Sequence, residues 1–210
     1  MALSTTSYRK QVAVCAAQLL AEGFVQDYHS AKLKAIKRLG LTEAFDLPSN
    51  EEVETELKRQ QSLFGNANCE NSHDQLVYAM RLQALEAMKM FKDFSPRLTG
   101  PVLEGTSTRY SPIEVQVFSE SPKEIVIKLL DFDVPFNTED RRMKMSKIDT
   151  RSVPVFSFGM GDYEVALVVL EPNDIRQSPL SPITGAPMER ASIKKLKKML
   201  SLVNSDVNLG

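Results

Sequence analysis

The residues from Gly100 to Glu114 combine glycines, hydroxyl side chains and charges at a spacing suited to holding phosphate groups. They read Gly-Pro-Val-Leu-Glu-Gly-Thr-Ser-Thr-Arg-Tyr-Ser-Pro-Ile-Glu and run into an alternating apolar stretch at residues 115–118. A basic run further along the chain contains Arg141 and Arg142. If a nucleotide binds at the glycine loop, these arginines are candidates to bind its phosphates, because guanidinium groups form charge-assisted hydrogen bonds to phosphate oxygens.

The spacing of this loop resembles that of the polymerase-beta-type nucleotidyltransferases, including their minimal bacterial forms. In many of those proteins the loop reads Gly-Ser, three residues, Gly-Thr, five residues and then Asp-x-Asp at the start of a strand. Here Gly100-Pro101, Gly105-Thr106 and Pro112-Ile113-Glu114 keep that register without a gap. The chain is also similar to a proteobacterial branch of this superfamily in residues 174–188. The resemblance implies a nucleotidyltransferase-like mixed sheet with flanking helices.

The same resemblance implies a nucleotide site and a magnesium site. Enzymes of this family displace a group at a phosphate with the help of two Mg²⁺ ions. Residues i and i+2 of a strand point to one face, so Asp-x-Asp presents two carboxylates to the metal pair. By the resemblance, Glu114 is the catalytic and metal-ligating carboxylate, and Glu164 on a neighbouring strand is a second catalytic candidate. The implied nucleotide contacts are Gly100, Gly105, Thr106, Ser107, Arg109, Arg141 and Arg142.

The sequence departs from the family pattern at the positions that carry its chemistry. Pro101 stands where the loop serine binds a phosphate oxygen, and proline offers neither a hydroxyl nor a backbone N–H. Pro112 replaces the first metal ligand, and the position matching the third carboxylate falls at Ala166. One or two carboxylates hold Mg²⁺ weakly unless substrate phosphates complete its shell. We therefore expect weak Mg²⁺ binding, and only if the protein is an active enzyme.

Three functions are compatible with these residues. The favoured one is a catalytically degenerate nucleotidyltransferase-fold protein that binds a nucleotide, an RNA or a protein partner. The second is an active Mg²⁺-dependent nucleotidyltransferase with an altered carboxylate set: Glu114, Glu164 and Glu104. The third is a protein-interaction module that uses the helical N-terminal half. In an ordinary strand-turn-strand, Gly100 and Gly105 would only permit tight turns and Glu114 would be solvated.

Composition indicates the cellular location of the protein and the partners it lacks, rather than its chemistry. The formal net charge of −1 over 210 residues gives no general attraction to nucleic acid or to an anionic membrane. The chain has no run of 18 apolar residues, and its N-terminus lacks the regions of a signal peptide. We therefore expect a cytoplasmic protein without membrane contact. Cys15 and Cys69 are too few for a disulfide framework, and Cys15 lies on an apolar stripe that predicts core packing.

Residues 1–94 have the periodicity of helices. Tyr8, Val12, Cys15 and Leu19 form one amphipathic stripe, with Gly23 as its stop. A second helix stops near Gly40, and a capping box at Ser49 and Glu52 opens a third. A loop at residues 65–72 precedes a longer helix that ends before Pro96. Apolar stripes of this kind could also support a homodimer.

Residues 95–210 change to the pattern of a sheet. Strands are predicted at residues 98–103, 113–118, 134–137, 153–158 and 163–170. Ser121-Pro122-Lys123-Glu124 predicts a capped helix, and residues 159–162 predict a hairpin turn. The proline-rich residues 172–187 should be ordered but irregular, and a final helix follows. We therefore predict an α+β protein with a helical region at 1–94 and a nucleotidyltransferase-like core at 95–210.

Two lysine-rich helix faces could contact phosphates or could simply be solvated. One comprises Lys32, Lys34, Lys37 and Arg38, and the other comprises Lys194, Lys195, Lys197 and Lys198. Neither cluster is interleaved with aromatic residues that could stack on bases, and the chain has no tryptophan. The pattern favours solvated faces of amphipathic helices.

Overall fold

The computed structural model describes residues 5–25, 27–41, 47–65 and 72–207. Within these ranges a helical N-terminal half precedes a five-stranded mixed sheet with flanking helices. This confirms the predicted α+β class. The predicted loop around Cys69 and the first four residues lie outside the described part of the chain.

The N-terminal helices are α1 (Thr5–Ala21), α2 (Tyr28–Arg38), α3 (Asn50–Gly65) and α4 (Ser72–Met90). Their ends follow local sequence signals. Gly23 and Gly40 have φ angles of +74° and +66°, the left-handed region that favours glycine after a helix. The predicted capping box is formed, since the Glu52 N–H donates to Ser49 Oγ at 3.1 Å and the Ser49 N–H donates to the Glu52 carboxylate.

The chain divides into two compact units. The first comprises Met1–His73, Thr108–Ser111 and Pro182–Gly185, and the second comprises Asp74–Ser107, Pro112–Ser181 and Ala186–Gly210. The division falls before most of α4, whereas the change in sequence periodicity falls after residue 94. Apolar side chains of α1, α2 and α3 form the core of the first unit, including Val12, Ala16, Leu19, Ala31, Ala35, Val53 and Leu57.

An ion pair at the start of α3 makes the first unit sensitive to acid. Arg9 donates from Nε and Nη2 to the two carboxylate oxygens of Glu52 at 2.9 and 2.7 Å. These bonds lower the pKa of Glu52 from 4.5 to about 2, with burial opposing the shift and the Ser49 N–H supporting it. Because the folded pKa is depressed, the stabilisation is complete above pH 4.5 and disappears as the pH falls towards 2.

Replacing Glu52 by glutamine should therefore lower stability in a pH-dependent way. We expect Glu52→Gln to cost about 1 kcal/mol at neutral pH, a small value because solvent screens this half-exposed pair. The cost should disappear near pH 2. Urea unfolding at neutral and acid pH measures both values. Glu51→Gln, a change of the exposed neighbour, serves as the control, and a cost that stays constant with pH would contradict the assignment.

The second unit is built on one sheet with the strand order β1-β2-β5-β4-β3. The strands are β1 (Arg97–Thr99), β2 (Ile113–Phe118), β3 (Asn137–Lys144), β4 (Thr150–Met160) and β5 (Tyr163–Leu170). Neighbouring strands are antiparallel except β2 and β5, which are parallel. The helices α5 (Gly100–Glu104), α6 (Pro122–Asp131) and α7 (Ile193–Val207) accompany this sheet.

The two faces of the sheet differ in polarity, because successive residues of a strand point to opposite sides. One face contributes to the main apolar core together with α4, α6 and α7; this core includes Met88, Phe91, Ile113, Leu129, Leu167 and Leu196. The strand register places Glu114, Gln116, Ala166 and Arg141 on the other face, called the Glu114 face below. A smaller apolar cluster on this face includes Phe118, Val155 and Val168.

Two strand predictions are wrong. Residues 100–103 are helical rather than extended, because Gly100 has a φ of +69° and Pro101 occupies the first turn of α5. Proline is favourable there, since its missing N–H would have no partner inside the helix. The strand predicted at 134–137 instead begins at Asn137, because β3 is a polar, mostly exposed edge strand without the apolar alternation that marks inner strands.

The capping box predicted at Ser121 and Glu124 is also wrong in detail. The Ser121 hydroxyl caps α6 by accepting from the Lys123 N–H at 3.4 Å. The Glu124 carboxylate accepts from the Ser119 hydroxyl instead of reaching back to Ser121. The helix begins where the sequence predicted, with a different set of hydrogen bonds.

The predicted hairpin between β4 and β5 is confirmed. Met160 lies opposite Tyr163, and Gly161 in the turn has a φ of +61°. The pairing of β4 with β5 ends at Val155. The next residue, Pro154, has no N–H to donate, which explains why the ladder stops there.

The proline-rich segment after β5 is ordered and largely irregular, as predicted. It contains a short 3₁₀ helix, Pro172–Ile175, and an isolated bridge between Leu180 and Pro187. The Leu180 N–H donates to the Lys144 carbonyl at 2.7 Å, so the segment contacts the end of the edge strand β3. No helix within the described ranges is both long enough and apolar enough to cross a membrane.

Candidate functional site

The glycine loop is formed around the short helix α5. A Cβ atom added to Gly100 would lie 3.0 Å from Oε2 of Glu114, so the carboxylate lies directly against the backbone of this glycine. At the other end of the helix, Gly105 has a φ of +79°, and its N–H and that of Thr106 both donate to the Pro101 carbonyl. These two amides are therefore used to end the helix rather than being directed at a ligand.

Arg81 from α4 fixes the end of α5. Its Nε donates to the Val102 carbonyl at 3.0 Å and its Nη2 donates to the Leu103 carbonyl at 2.8 Å. Burial lowers the pKa of Arg81, while Asp74 opposes the shift. Carbonyl oxygens at this end of the loop attract cations, so residues 102–106 are not arranged as an anion-binding turn.

The hydroxyls predicted to contact a nucleotide are inside the protein. Thr106 is 4% exposed and Ser107 is fully buried, and Ser107 Oγ has no hydrogen-bond partner among the residues that the structure describes. Arg109 is exposed, belongs to the first compact unit and lies with its guanidinium 5.9 Å from the centre of the Tyr110 ring.

The register of β2 against β5 fixes the positions of the predicted carboxylates. Glu114 lies opposite Ala166, the residue that the resemblance placed at the third carboxylate position. Glu164 lies at the beginning of β5, opposite Gly159, and is exposed. It shares the Glu114 face, because it precedes Ala166 by two residues.

An arginine, and not a second carboxylate, is the partner of Glu114. Arg141 Nη1 donates to Glu114 Oε1 at 2.7 Å, and its Nη2 donates to Glu139 Oε1 at 3.1 Å. The Glu114 side chain is 20% exposed and that of Arg141 is 34% exposed. Burial lowers the pKa of Arg141, but the two carboxylates outweigh it and the pKa is raised overall. The structure thus brings Gly100, Glu114 and Arg141 together, while Arg142 is exposed on the opposite face of β3.

The residues around Glu114 do not fit a magnesium ion. Ala166 and Pro112 offer no side-chain oxygen at the other two ligand positions that the resemblance implies, and the guanidinium of Arg141 repels a cation. No group of three or more His, Cys, Asp or Glu side chains that could hold a metal ion occurs in the described ranges. Mg²⁺ prefers a full octahedral set of oxygen ligands, which these side chains do not supply.

Sequence analysis missed a second arginine of the Glu114 face. Arg190 donates from Nε to Gln116 Oε1 at 2.7 Å and from Nη1 to the Asp174 carbonyl at 2.8 Å. Its guanidinium lies 5.3 Å from the centre of the Phe118 ring. Gln116, fully buried in an apolar run, was the available signal, since a buried amide needs a polar partner.

The guanidinium of Arg190 retains donor capacity. Its Nη2 is buried, and the described part of the chain offers it no hydrogen-bond partner. Burial and the nearby Arg97 lower the pKa of Arg190 to about 10, so the group is still charged at neutral pH.

Comparison with known proteins gives no relative for this chain: no family model, no curated protein and no solved structure matches it. The resemblance of the glycine loop to nucleotidyltransferases therefore stays a prediction that rests on the residues themselves.

Proposed function

We propose that this protein is a nucleotidyltransferase-like binding protein that holds a nucleoside triphosphate without transferring a nucleotidyl group. The observation that carries the proposal is the ion pair between Arg141 and Glu114. A guanidinium group is a permanent cation, so it supplies charge at the carboxylate where an active enzyme needs a metal ion. It has no open coordination position and cannot polarise a phosphate as a Lewis acid.

The charges of the Glu114 face favour phosphate as the ligand. Arg141 keeps donors beyond those used by its two carboxylates, and its bond to Glu139 is weak because that side chain is 58% exposed. A phosphate oxygen can replace Glu139 at small cost. Arg190 adds a second guanidinium on the same face, beside Gln116 and Phe118.

A free nucleotide fits better than RNA, because the lysines of α2 and α7 are either bonded within the protein or solvated. Lys32 Nζ donates to Asn50 Oδ1 at 2.8 Å and Lys34 Nζ donates to the Phe24 carbonyl at 2.9 Å. The four lysines of α7 are exposed beside the buried Leu196 and Leu200. These clusters therefore behave as solvated helix faces rather than as a track for a nucleic-acid backbone.

Thermal unfolding with nucleoside triphosphates, with Mg²⁺ and separately with EDTA, tests the proposal. We expect equal stabilisation in both conditions, about 2.7 kcal/mol when the ligand is at 100 times its Kd. Arg141→Met should abolish the effect. Arg142→Met, a change on the same strand but on the opposite face, should retain it.

A labelled triphosphate incubated with RNA and protein acceptors completes the test. The proposal expects no transferred label. Stabilisation that requires a divalent ion, or label on an acceptor, would overturn it and favour the active Mg²⁺-dependent enzyme with its carboxylates at Glu114 and Glu164.

A groove in the first unit favours a second candidate, a protein-interaction module in the helical half. It has a volume of about 570 Å³ and is lined by Lys10, Gln11, Val14, Cys15, Gln18, Arg38 and Leu39. Burial raises the pKa of the Cys15 thiol, although Arg38 opposes the shift, so Cys15 is an apolar part of the floor. Under this alternative no nucleotide stabilises the protein, and the lysine and arginine at the rim bind an acidic partner.

A further inference from the structure

The strand β3 is an edge of the sheet, and most of its residues are exposed to solvent. The opposite edge strand β1 is covered, because Leu98 and Ala191 exchange two backbone hydrogen bonds of 2.9 Å. On β3, Asn137, Thr138, Glu139, Asp140 and Arg142 are all exposed. An edge of this kind offers unpaired N–H and C=O groups to another strand.

The hydrogen-bonding pattern shows which residues of β3 direct their backbone N–H and C=O groups away from β4. The Met145 N–H donates to the Asp149 carbonyl at 2.9 Å, which continues the register of Lys144 opposite Thr150. Because hydrogen-bonded pairs alternate in antiparallel strands, odd-numbered residues of β3 direct their backbone groups to β4. Even-numbered residues direct them outward, which agrees with the outward Lys144 carbonyl that accepts from Leu180.

The charge order on this edge is complementary to itself. When a twofold axis relates two antiparallel strands, opposite residues must point to the same face of the joined sheet. One residue therefore lies at the axis, opposite its own copy. An axis through Arg141 places Asp140 opposite Arg142 of the second copy, and Arg142 opposite its Asp140. Opposite charges at such positions stabilise a strand pair. Any such axis places one residue opposite its own copy; at Asp140 or Arg142 these like charges would lack the ion pairs to Glu114 and Glu139 that neutralise Arg141.

We infer that β3 is the dimerisation edge of this protein, and that two copies join their sheets through antiparallel β3 strands centred on Arg141. The two Arg141 side chains at the axis are each neutralised by their own Glu114 and Glu139. The Leu180 N–H already occupies the outward carbonyl of Lys144, so pairing with a second copy cannot extend to that residue. Pairing is therefore confined to the charged residues in the middle of β3. The same charges disfavour an unrelated apolar strand, which makes a second copy the preferred occupant.

Charge reversal tests the register by sedimentation equilibrium. The wild-type protein should sediment at twice its 23.5 kDa mass at micromolar concentrations. Asp140→Arg and Arg142→Asp alone should each give monomers, and the double variant should restore the dimer. Asp131→Arg, the same charge change at the exposed end of α6, should leave the dimer intact. A wild-type monomer, or single variants that stay dimeric, would overturn the inference.

A cysteine cross-link tests the axis independently of any loss of stability. Opposite residues in a pair without hydrogen bonds have Cα atoms about 4.5 Å apart, within the range of a disulfide. Arg141→Cys in a Cys69→Ser background should form a covalent dimer under mild oxidation. Asn137→Cys, on the same face and strand, lies roughly 27 Å from its mate in this register and should not. Equal cross-linking of both would contradict the axis through Arg141.

Discussion

Replacing Phe91 by alanine is expected to lower the free energy of unfolding by about 3 to 5 kcal/mol, the range for truncating a fully buried phenylalanine. Phe91 follows α4 and is fully buried. Its ring centre lies 6.2 Å from that of Phe132 in an edge-to-face contact and 6.3 Å from that of Phe158. The side chain thus joins α4 to α6 and to the sheet, and its loss leaves a cavity among elements that cannot collapse independently.

Urea denaturation measures this effect, with the midpoint moving at an unchanged slope. Phe132→Ala is the matched control, because Phe132 is 40% exposed and its removal opens less buried volume. We expect it to cost less than half as much as Phe91→Ala. Equal costs for the two changes would show that α4 is not an integral part of the sheet core.

Replacing Arg190 by methionine is the second large effect, with an expected loss of about 2 to 4 kcal/mol. The fully buried Gln116 would lose the donor to its Oε1, and the Asp174 and Ile175 carbonyls would lose theirs. Each buried acceptor left without a donor costs about 1 to 3 kcal/mol. Part of the cost is offset, because the buried and unsatisfied Nη2 is removed as well.

A second substitution separates the hydrogen bonds from the packing of the methionine. Gln116→Leu combined with Arg190→Met removes both partners, so the double variant should be more stable than Arg190→Met alone. Arg176→Met, an exposed arginine of the same segment, should change stability by less than about 0.5 kcal/mol. An Arg190→Met protein as stable as the wild type would show that Arg190 does not hold Asp174 and Ile175 against the sheet.

Sequence patterns predicted the elements whose signals are local. The apolar alternation of β2 and β5, the capping box at Ser49 and the hairpin at Gly161 were found because each depends on a few adjacent residues. The bounds predicted for β3 were wrong because an exposed edge strand needs no apolar alternation. The residues after Thr99 were misassigned because apolar Val102 and Leu103 suit a buried helix as well as a strand.

The residues of the candidate site could be predicted from their types, but which of them bind each other could not. Glu114, Gly100 and Arg141 were all named from the sequence, yet nothing local shows that Arg141 binds Glu114 across two intervening strands. Arg190 was missed for the same reason, since its partner Gln116 lies 74 residues away in the chain. Contacts of this kind depend on the order of strands in the sheet, which the sequence periodicity does not contain.

The most direct test of the central claim is a calorimetric titration of Glu114→Gln with ATP in EDTA and in Mg²⁺. If Arg141 serves as the cation of this site, the neutral glutamine releases it for phosphate. The variant should then bind ATP more tightly than the wild type, by about 3- to 10-fold, the equivalent of roughly 1 kcal/mol, and equally in both conditions. Loss of ATP binding in Glu114→Gln, or binding by the wild type only when Mg²⁺ is present, would contradict the account and identify Glu114 as a metal ligand.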